Sequence, residues 1–173
     1  MSPDYRIKPA REQDILLIPA IELSAARLLS GHAPESVLSE NIAPEELLQA
    51  LHRGHLWVAL ESDVPVGFAQ LEELEPGVTH LKEIDVLPQH GRRGLGTRLV
   101  MAVCEWAAES GSASVTLTTF RDVPWNMPFY ARLGFAEIPL QELSPALLAV
   151  LKSEAHRGLD PARRVAMRRW CMI

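Results

Sequence analysis

Leu81-Lys82-Glu83-Ile84-Asp85-Val86-Leu87-Pro88-Gln89-His90-Gly91-Arg92-Arg93-Gly94-Leu95-Gly96-Thr97 is the stretch on which the fold turns. Its first part predicts a strand over 80–87. Ile84 and Val86 alternate with Glu83 and Asp85, so a period of two puts the apolar pair on one face and the carboxylates on the other. Pro88 ends that strand, because it has no N–H to give a ladder. Gly91, Gly94 and Gly96 then allow a tight turn. From Thr97 to Ser110 the apolar residues Leu99, Val103, Trp106 and Ala107 recur at helical spacing, and Gly111 is a helix stop.

Outward from this unit, further elements alternate. Toward the N-terminus the pattern predicts a strand over 4–8 and a helical stretch from Glu12 to Leu29 interrupted by Pro19. A loop at Gly31, Pro34 and Ser36 follows, then a helix from Pro44 to about His52. Strands over 55–60 and 66–72 form a hairpin about an Asp63-Val64-Pro65 turn. Toward the C-terminus the pattern gives a strand over 115–119, a short helix over 128–133, a strand over 135–138, a helix over 145–156 capped by Ser144, and a last strand over 165–171. Strands followed by β–α–β units imply an α/β or α+β chain with a mixed sheet. Trp57 and Trp106 are assigned to the core, and Trp125 to the core or a pocket wall.

The chain's 173 residues fit one domain, 1–173, at roughly 150 residues per domain. Two cysteines, Cys104 and Cys171, make neither a disulfide framework nor a four-ligand zinc site, and the six histidines show no ligand spacing, so no metal is expected. Cys104 reads as a small apolar filler rather than a nucleophile. A net charge of −5 argues against a nucleic-acid partner. No apolar run approaches a membrane span and none opens the chain, so a cytoplasmic protein with no membrane partner is expected.

The glycine turn is a candidate anion cradle. Main-chain N–H groups of Gly91, Arg92, Arg93, Gly94, Leu95, Gly96 and Thr97 can approach a ligand closely. The helix behind them adds its unsatisfied donors and the positive end of its dipole. A pyrophosphate suits such a cradle. A P-loop would need Lys before Thr97, where Gly96 stands, and a dinucleotide fingerprint would need a third glycine or alanine where Leu99 stands. An acyl-coenzyme A loop and a plain β–α turn with solvated arginines both remain open.

Residues 81–97 resemble motif A of the GNAT acetyltransferase superfamily, a strand ending in V-x-P followed by Q/R-x-x-G-x-G/A and a helix. Residues 124–135, Pro-Trp-Asn-Met-Pro-Phe-Tyr-Ala-Arg-Leu-Gly-Phe, resemble its motif B, which ends in Y-x-x-L-G-F. The departure is Gly91, where the family has Gln or Arg. The resemblance implies a mostly antiparallel mixed sheet, helices on both faces, splayed between the 80–87 and 115–119 strands, with acetyl-CoA entering the splay. It further implies a pantetheine arm against the backbone of Asp85, Val86 and Leu87, a pyrophosphate on 91–97, and Asn126 and Tyr130 beside the thiol end.

The same resemblance implies acetyl transfer to a primary amine, small molecule or peptide, by direct attack in a ternary complex. A free amine is mostly protonated at neutral pH, so a base or water chain must take its proton. Glu83 is favoured, with Asp85, His80 or ordinary solvent-facing carboxylates as alternatives. Tyr130, where relatives place a thiolate-protonating tyrosine, is the candidate acid; a core aromatic beside Phe129 and Phe135 is the other reading. A backbone N–H near Val86 is the candidate oxyanion donor. The family's acceptor wall corresponds to Glu22–Ser30 and Val165–Trp170, where Glu22 either pairs with a cationic amine or is solvated. The resemblance leaves a homodimer open. A non-catalytic acyl-CoA-binding module is the alternative class: it would bind acetyl-CoA yet release CoA slowly with every amine. A nucleotide-phosphate binder would let ATP compete with CoA.

Overall fold

Ser62 and Asp63 both have positive φ, 46° and 73°, which is the geometry of a two-residue hairpin loop. In the computed structural model, which describes residues 2–172, they join β2 (Leu56–Glu61) to β3 (Val64–Glu75). The turn therefore lies one residue earlier than Asp63-Val64-Pro65. Val64 is already laddered to Glu61, and Pro65 is tolerated opposite Leu60 beside a bulge at Ala59/Leu60.

The remaining strands are β1 (Tyr5–Pro9), β4 (Val78–Val86), β5 (Ser114–Phe120), β6 (Ala136–Glu137) and β7 (Arg164–Trp170). Their hydrogen-bonded order is β1-β2-β3-β4-β5-β7-β6. β1–β2, β2–β3, β5–β7 and β6–β7 are antiparallel, and β4–β5 is parallel. This is the mixed α/β sheet with flanking helices that the sequence implies. The helices are α1 (Ile18–Ala26), α2 (Glu35–Leu38), α3 (Pro44–His52), α4 (Leu95–Glu109), α5 (Met127–Arg132) and α6 (Pro145–His156).

The chain forms two compact units. One comprises the residues up to Glu72 with Lys82–Val103. Its core joins Ile15, Ile18 and Ile21 to Leu47 and Ala50 of α3 and to Leu56, Val58, Leu60 and Phe68 of the strands. Pro19 does not interrupt a helix here. It sits in the first turn of α1, where its missing N–H has no intrahelical acceptor to lose. The preceding turn, Glu12–Leu17, is a 3-10 segment. Asp14 is buried there and takes the Arg11 N–H at 2.8 Å and its guanidinium at 2.9 Å.

The other unit comprises Glu73–Leu81 and the residues from Cys104 onward. β7 pairs with β5 along the whole of that strand. β4 pairs with β5 through Val78–His80 against Ser114–Thr116. Ser144 caps α6 as the sequence predicts, accepting from the Leu147 N–H at 3.2 Å. Glu154 of α6 is buried with Arg164 of β7 in a two-point ion pair at 3.0 Å, and Thr118 donates to it at 2.8 Å. Removing one partner of such a pair costs about 3–5 kcal/mol, because the other is left charged and buried.

Two core assignments need correction: Trp57 and Trp106 are only half-buried. Trp125 is 49% exposed, which removes the core alternative of its reading and leaves the pocket wall. Large aromatic rings rarely find complete cover even on apolar stripes. α2 was also not predicted: Pro34 in extended conformation opens a single helical turn where only a loop pattern is readable.

Candidate functional site

Leu87 ends β4 by donating its N–H to Val66 of β3 at 2.8 Å. Alternation along a strand then turns the Val86 N–H to the opposite edge. Of the three main-chain positions singled out for a pantetheine arm, Leu87 thus has its donor already engaged on β3. Gly67 of β3 explains how closely these strands approach: a Cβ there would meet the Asp85 carbonyl oxygen at 3.0 Å and Val86 Cγ2 at 3.2 Å. Gly67 had no signal beyond being a glycine inside a strand pattern.

After β4 the chain makes one 3-10 turn, Pro88–His90, and Gly91 closes it by donating to the Pro88 carbonyl at 3.0 Å. A Cβ at Gly91 would press on that carbonyl at 3.1 Å, so this tight closure suits a residue without a side chain. Arg92 and Gly94 take positive φ, 59° and 76°. α4 begins at Leu95, two residues before the predicted Thr97, so Leu95, Gly96 and Thr97 form its first turn. The first main-chain bond of that helix runs from the Arg98 N–H to the Gly94 carbonyl, 3.0 Å. Among the described residues, the N–H groups from Arg92 to Thr97 donate to no main-chain carbonyl. Residues 91–94 are exposed. A row of unclaimed donors at the positive end of a helix fits an anion such as a diphosphate.

Arg92 and Arg93 are both exposed, but Arg93 is tied to β1. The Arg93 guanidinium donates to the Tyr5 hydroxyl at 3.0 Å, and that hydroxyl bonds His90 Nδ1 at 2.8 Å. Arg98 reaches the Tyr5 carbonyl at 3.2 Å. Tyr5 is therefore a brace for the turn that sequence reading missed; it lies 88 residues from Arg93, and no local pattern announces such a contact.

Glu83 and Asp85 do lie together on β4, but not as solvated strand residues. Both are half-buried, and Asp85 Oδ2 is out of contact with solvent and without a hydrogen-bond partner. Burial, then the charge and hydrogen bond of Glu83, then the charge of Glu22 push the Asp85 carboxyl well above its ordinary range. Glu22 itself is a buried residue of α1, not a solvated one. Its Oε1 accepts from the Ile42 N–H at 2.8 Å and from Asn41 Nδ2 at 3.0 Å, yet burial still pushes its carboxyl up. A carboxyl pair that shares a proton, beside a donor-rich turn, can accept a proton from an ammonium group.

In the other unit, Asn126 precedes α5 and its Oδ1 accepts from Thr119 Oγ1 at 2.7 Å. The Asn126 carbonyl accepts the Tyr130 N–H at 3.1 Å. Tyr130 is 9% exposed, and its ring meets Phe129 and Phe135 edge-on at 5.0 and 5.8 Å. His80, the alternative base, is buried with Nδ1 on Thr116 Oγ1 at 2.9 Å. Burial pushes the Cys104 thiol up, which suits a packing role rather than a nucleophile. Among the described residues no group of three or more His, Cys, Asp or Glu could hold a metal ion, and no helix is long and apolar enough to cross a membrane.

Residues 25–135 match the family model described as Acetyltransferase (GNAT) family. An aminoglycoside N(6')-acetyltransferase type 1 of Salmonella typhimurium is 28% identical over 120 residues, 64% of this chain and 79% of that protein. The crystal structure of PaiA N-acetyltransferase from Thermoplasma acidophilum, in complex with coenzyme A, has a TM-score of 0.76 at 14% identity, covering 96% of this chain and 99% of that one. N-acetylglutamate synthase from Neisseria gonorrhoeae, complexed with coenzyme A and N-acetyl-glutamate, has a TM-score of 0.73 at 18% identity. It covers 100% of this chain and 36% of that one.

Proposed function

This chain belongs to the GNAT acetyltransferase family and transfers acetyl from acetyl-CoA to an amine, and we propose that it does so by direct attack of a primary amine, with Glu83 and Asp85 as the proton-accepting pair. The observation that carries the proposal is the neighbouring, half-buried carboxyls of Glu83 and Asp85, on the strand that leads into the unclaimed N–H groups of Arg92–Thr97.

Acetyl-CoA supplies the activated acyl group. The main-chain donors from Arg92 to Thr97, with Gly94 as hinge and Arg92 as free charge, hold its diphosphate. The amine nitrogen arrives protonated. Glu83, directly or through a water and coupled to Asp85, takes that proton, because only the neutral nitrogen has a lone pair for the carbonyl carbon. The N–C bond forms as the C–S bond breaks. The Val86 N–H, on the edge of β4 not used by β3, faces the carbonyl oxygen as it gains charge. Tyr130 gives its phenolic proton to the departing sulfur, and the second proton that the nitrogen sheds as it becomes an amide restores the phenol. Asn126 positions the first turn of α5, and with it Tyr130. Support for the last two roles is their place in the segment that resembles motif B.

The test is CoA release from acetyl-CoA across amines: monoamines, diamines, amino sugars including aminoglycosides, and peptides with free N-termini. The Salmonella relative's name puts an amino sugar on that panel. Turnover with at least one amine, falling about 10²-fold or more in Glu83→Gln with acetyl-CoA binding retained, supports the reading. An unchanged rate in Glu83→Gln removes Glu83 as the base.

A further inference from the structure

A turn rich in glycine has many conformations to lose, and a ligand that must order it binds less tightly by that loss. The turn at 91–94 is exposed, and Arg92 and Gly94 in it take positive φ. Burial does not hold it in shape. The side-chain ties that do so converge on one residue of β1. The Tyr5 hydroxyl bonds His90 Nδ1 at 2.8 Å and accepts from the Arg93 guanidinium at 3.0 Å, and the Tyr5 carbonyl accepts from Arg98 at 3.2 Å. His90 and Arg98 stand on either side of the Arg92–Thr97 donors, and Arg93 stands among them. The rings of Tyr5 and His90 meet edge-on at 5.8 Å. Glu61, the ladder partner of Tyr5 on β2, faces the other ring nitrogen, His90 Nε2, at 3.6 Å. Two neighbouring strands thus grip the residue before the turn by both of its ring nitrogens.

The hydrogens of this group follow from what each side chain can do. Arginine only donates, so the Tyr5 oxygen accepts from Arg93. The phenol's own hydrogen then has His90 Nδ1 as its acceptor among the described residues. Nδ1 is therefore bare, and the imidazole hydrogen sits on Nε2, toward the Glu61 carboxylate. Donation runs one way, from Arg93 to Tyr5 to His90 and on toward Glu61. We infer that this relay sets the affinity for acetyl-CoA: Tyr5 and His90 are positioning residues that keep the 91–97 turn ready for the diphosphate, and Arg93 ties the turn to β1 while Arg92 supplies charge. The inference rests on the diphosphate reading above. It separates cofactor affinity from the chemical step, because the relay contains none of the groups assigned to acyl transfer.

Tyr5→Phe tests it. The variant keeps the ring beside His90 and the carbonyl that Arg98 uses, and it deletes the hydroxyl on which Arg93 and His90 meet. CoA binding by calorimetry should weaken about tenfold and KM for acetyl-CoA should rise to match, while kcat at saturating acetyl-CoA stays within about twofold. His90→Leu leaves the phenol hydrogen without its acceptor and should act alike. The double variant should bind no worse than the weaker single one, because both changes cut one relay. Long-range proton–nitrogen NMR spectra near neutral pH should show a bare Nδ1 and a protonated Nε2, with the His90 signals identified by their loss in His90→Leu. Melting temperature is followed in each variant. Unchanged CoA affinity in Tyr5→Phe overturns the inference and leaves the diphosphate reading standing. So do a protonated Nδ1 in the wild type, additive losses in the double variant, and a kcat that falls as far as the affinity does, which is what a merely structural role would give. Failure of the wild-type protein to bind CoA removes the diphosphate reading, and the inference with it.

Discussion

Asp85 and Glu83, two residues apart on β4, are hydrogen-bonded carboxyl to carboxyl, and Asp85 Oδ2 is sealed from solvent. Two oxygens of acidic groups can bond only if one holds a proton, so the fold keeps that proton at a pH where an isolated aspartate has lost it. Folding thus raises the Asp85 pKa above its unfolded value. The stability linked to this group is complete below the ordinary carboxylate range and is lost as pH rises through the raised value.

Asp85→Asn should therefore melt above the wild type at about pH 8, with the difference fading toward about pH 4, where both forms of residue 85 are neutral. Melting temperature against pH for both proteins measures it. A difference independent of pH would mean that Asp85 is not held protonated by its neighbours. Acetyl transfer by Asp85→Asn should fall over the same pH range, because the variant gains stability by giving up half of its proton store.

How much of this was legible in sequence depends on range. β4, the glycine turn and α6 with its Ser144 cap are written in neighbouring residues, and their predicted bounds lie within two residues of those observed. The choice of Glu83 and Asp85 as candidates needed only the period of a strand. What was not legible is what buries them. Glu22 on α1 and the close approach permitted by Gly67 on β3 come from distant parts of the chain, and nothing in the local pattern separates a solvated carboxylate from a sealed one. Tyr5 escaped for the same reason. Pro19 was misread because proline marks both a helix break and a helix start, and only the 3-10 turn before it decides between them.

Gly67→Ala places a methyl group against the Asp85 carbonyl and Val86. β4 must move by a few tenths of an ångström where both the carboxyl pair and the Val86 N–H are set. Overpacking of this kind costs about 1–3 kcal/mol. Urea unfolding should show that loss, and kcat/KM with the best amine should fall further than stability alone explains. Full activity in a destabilised Gly67→Ala would mean that the position of Asp85 and Val86 does not govern the reaction.

Tyr130→Phe keeps the ring that packs against Phe129 and Phe135 and removes only the hydroxyl. Melting should change by no more than about 1 kcal/mol, the net worth of a single hydrogen bond. Acetyl-CoA binding by calorimetry should hold, while kcat drops about 10²-fold if the hydroxyl protonates the departing sulfur. A donor with a more acidic thiol, which leaves without help, should lose less. Wild-type turnover in Tyr130→Phe returns Tyr130 to a packing role.

Gly94 has a φ of 76°, yet an added Cβ there would meet no atom within 4 Å. Substitution is therefore limited by the backbone and not by space. A β-branched residue resists the left-handed region, at about 1–2 kcal/mol for an ordinary side chain, and relieves itself by rotating the turn that aims the Arg92–Thr97 N–H groups. Gly94→Val should weaken CoA binding about tenfold or more in calorimetry. Gly94→Asn, of similar bulk but at ease with positive φ, should stay within about threefold of the wild type. If both variants bind alike, backbone aim is not what holds the diphosphate. If Val weakens binding and Asn does not, the donors of this turn act through their direction, and the arginine beside them is secondary.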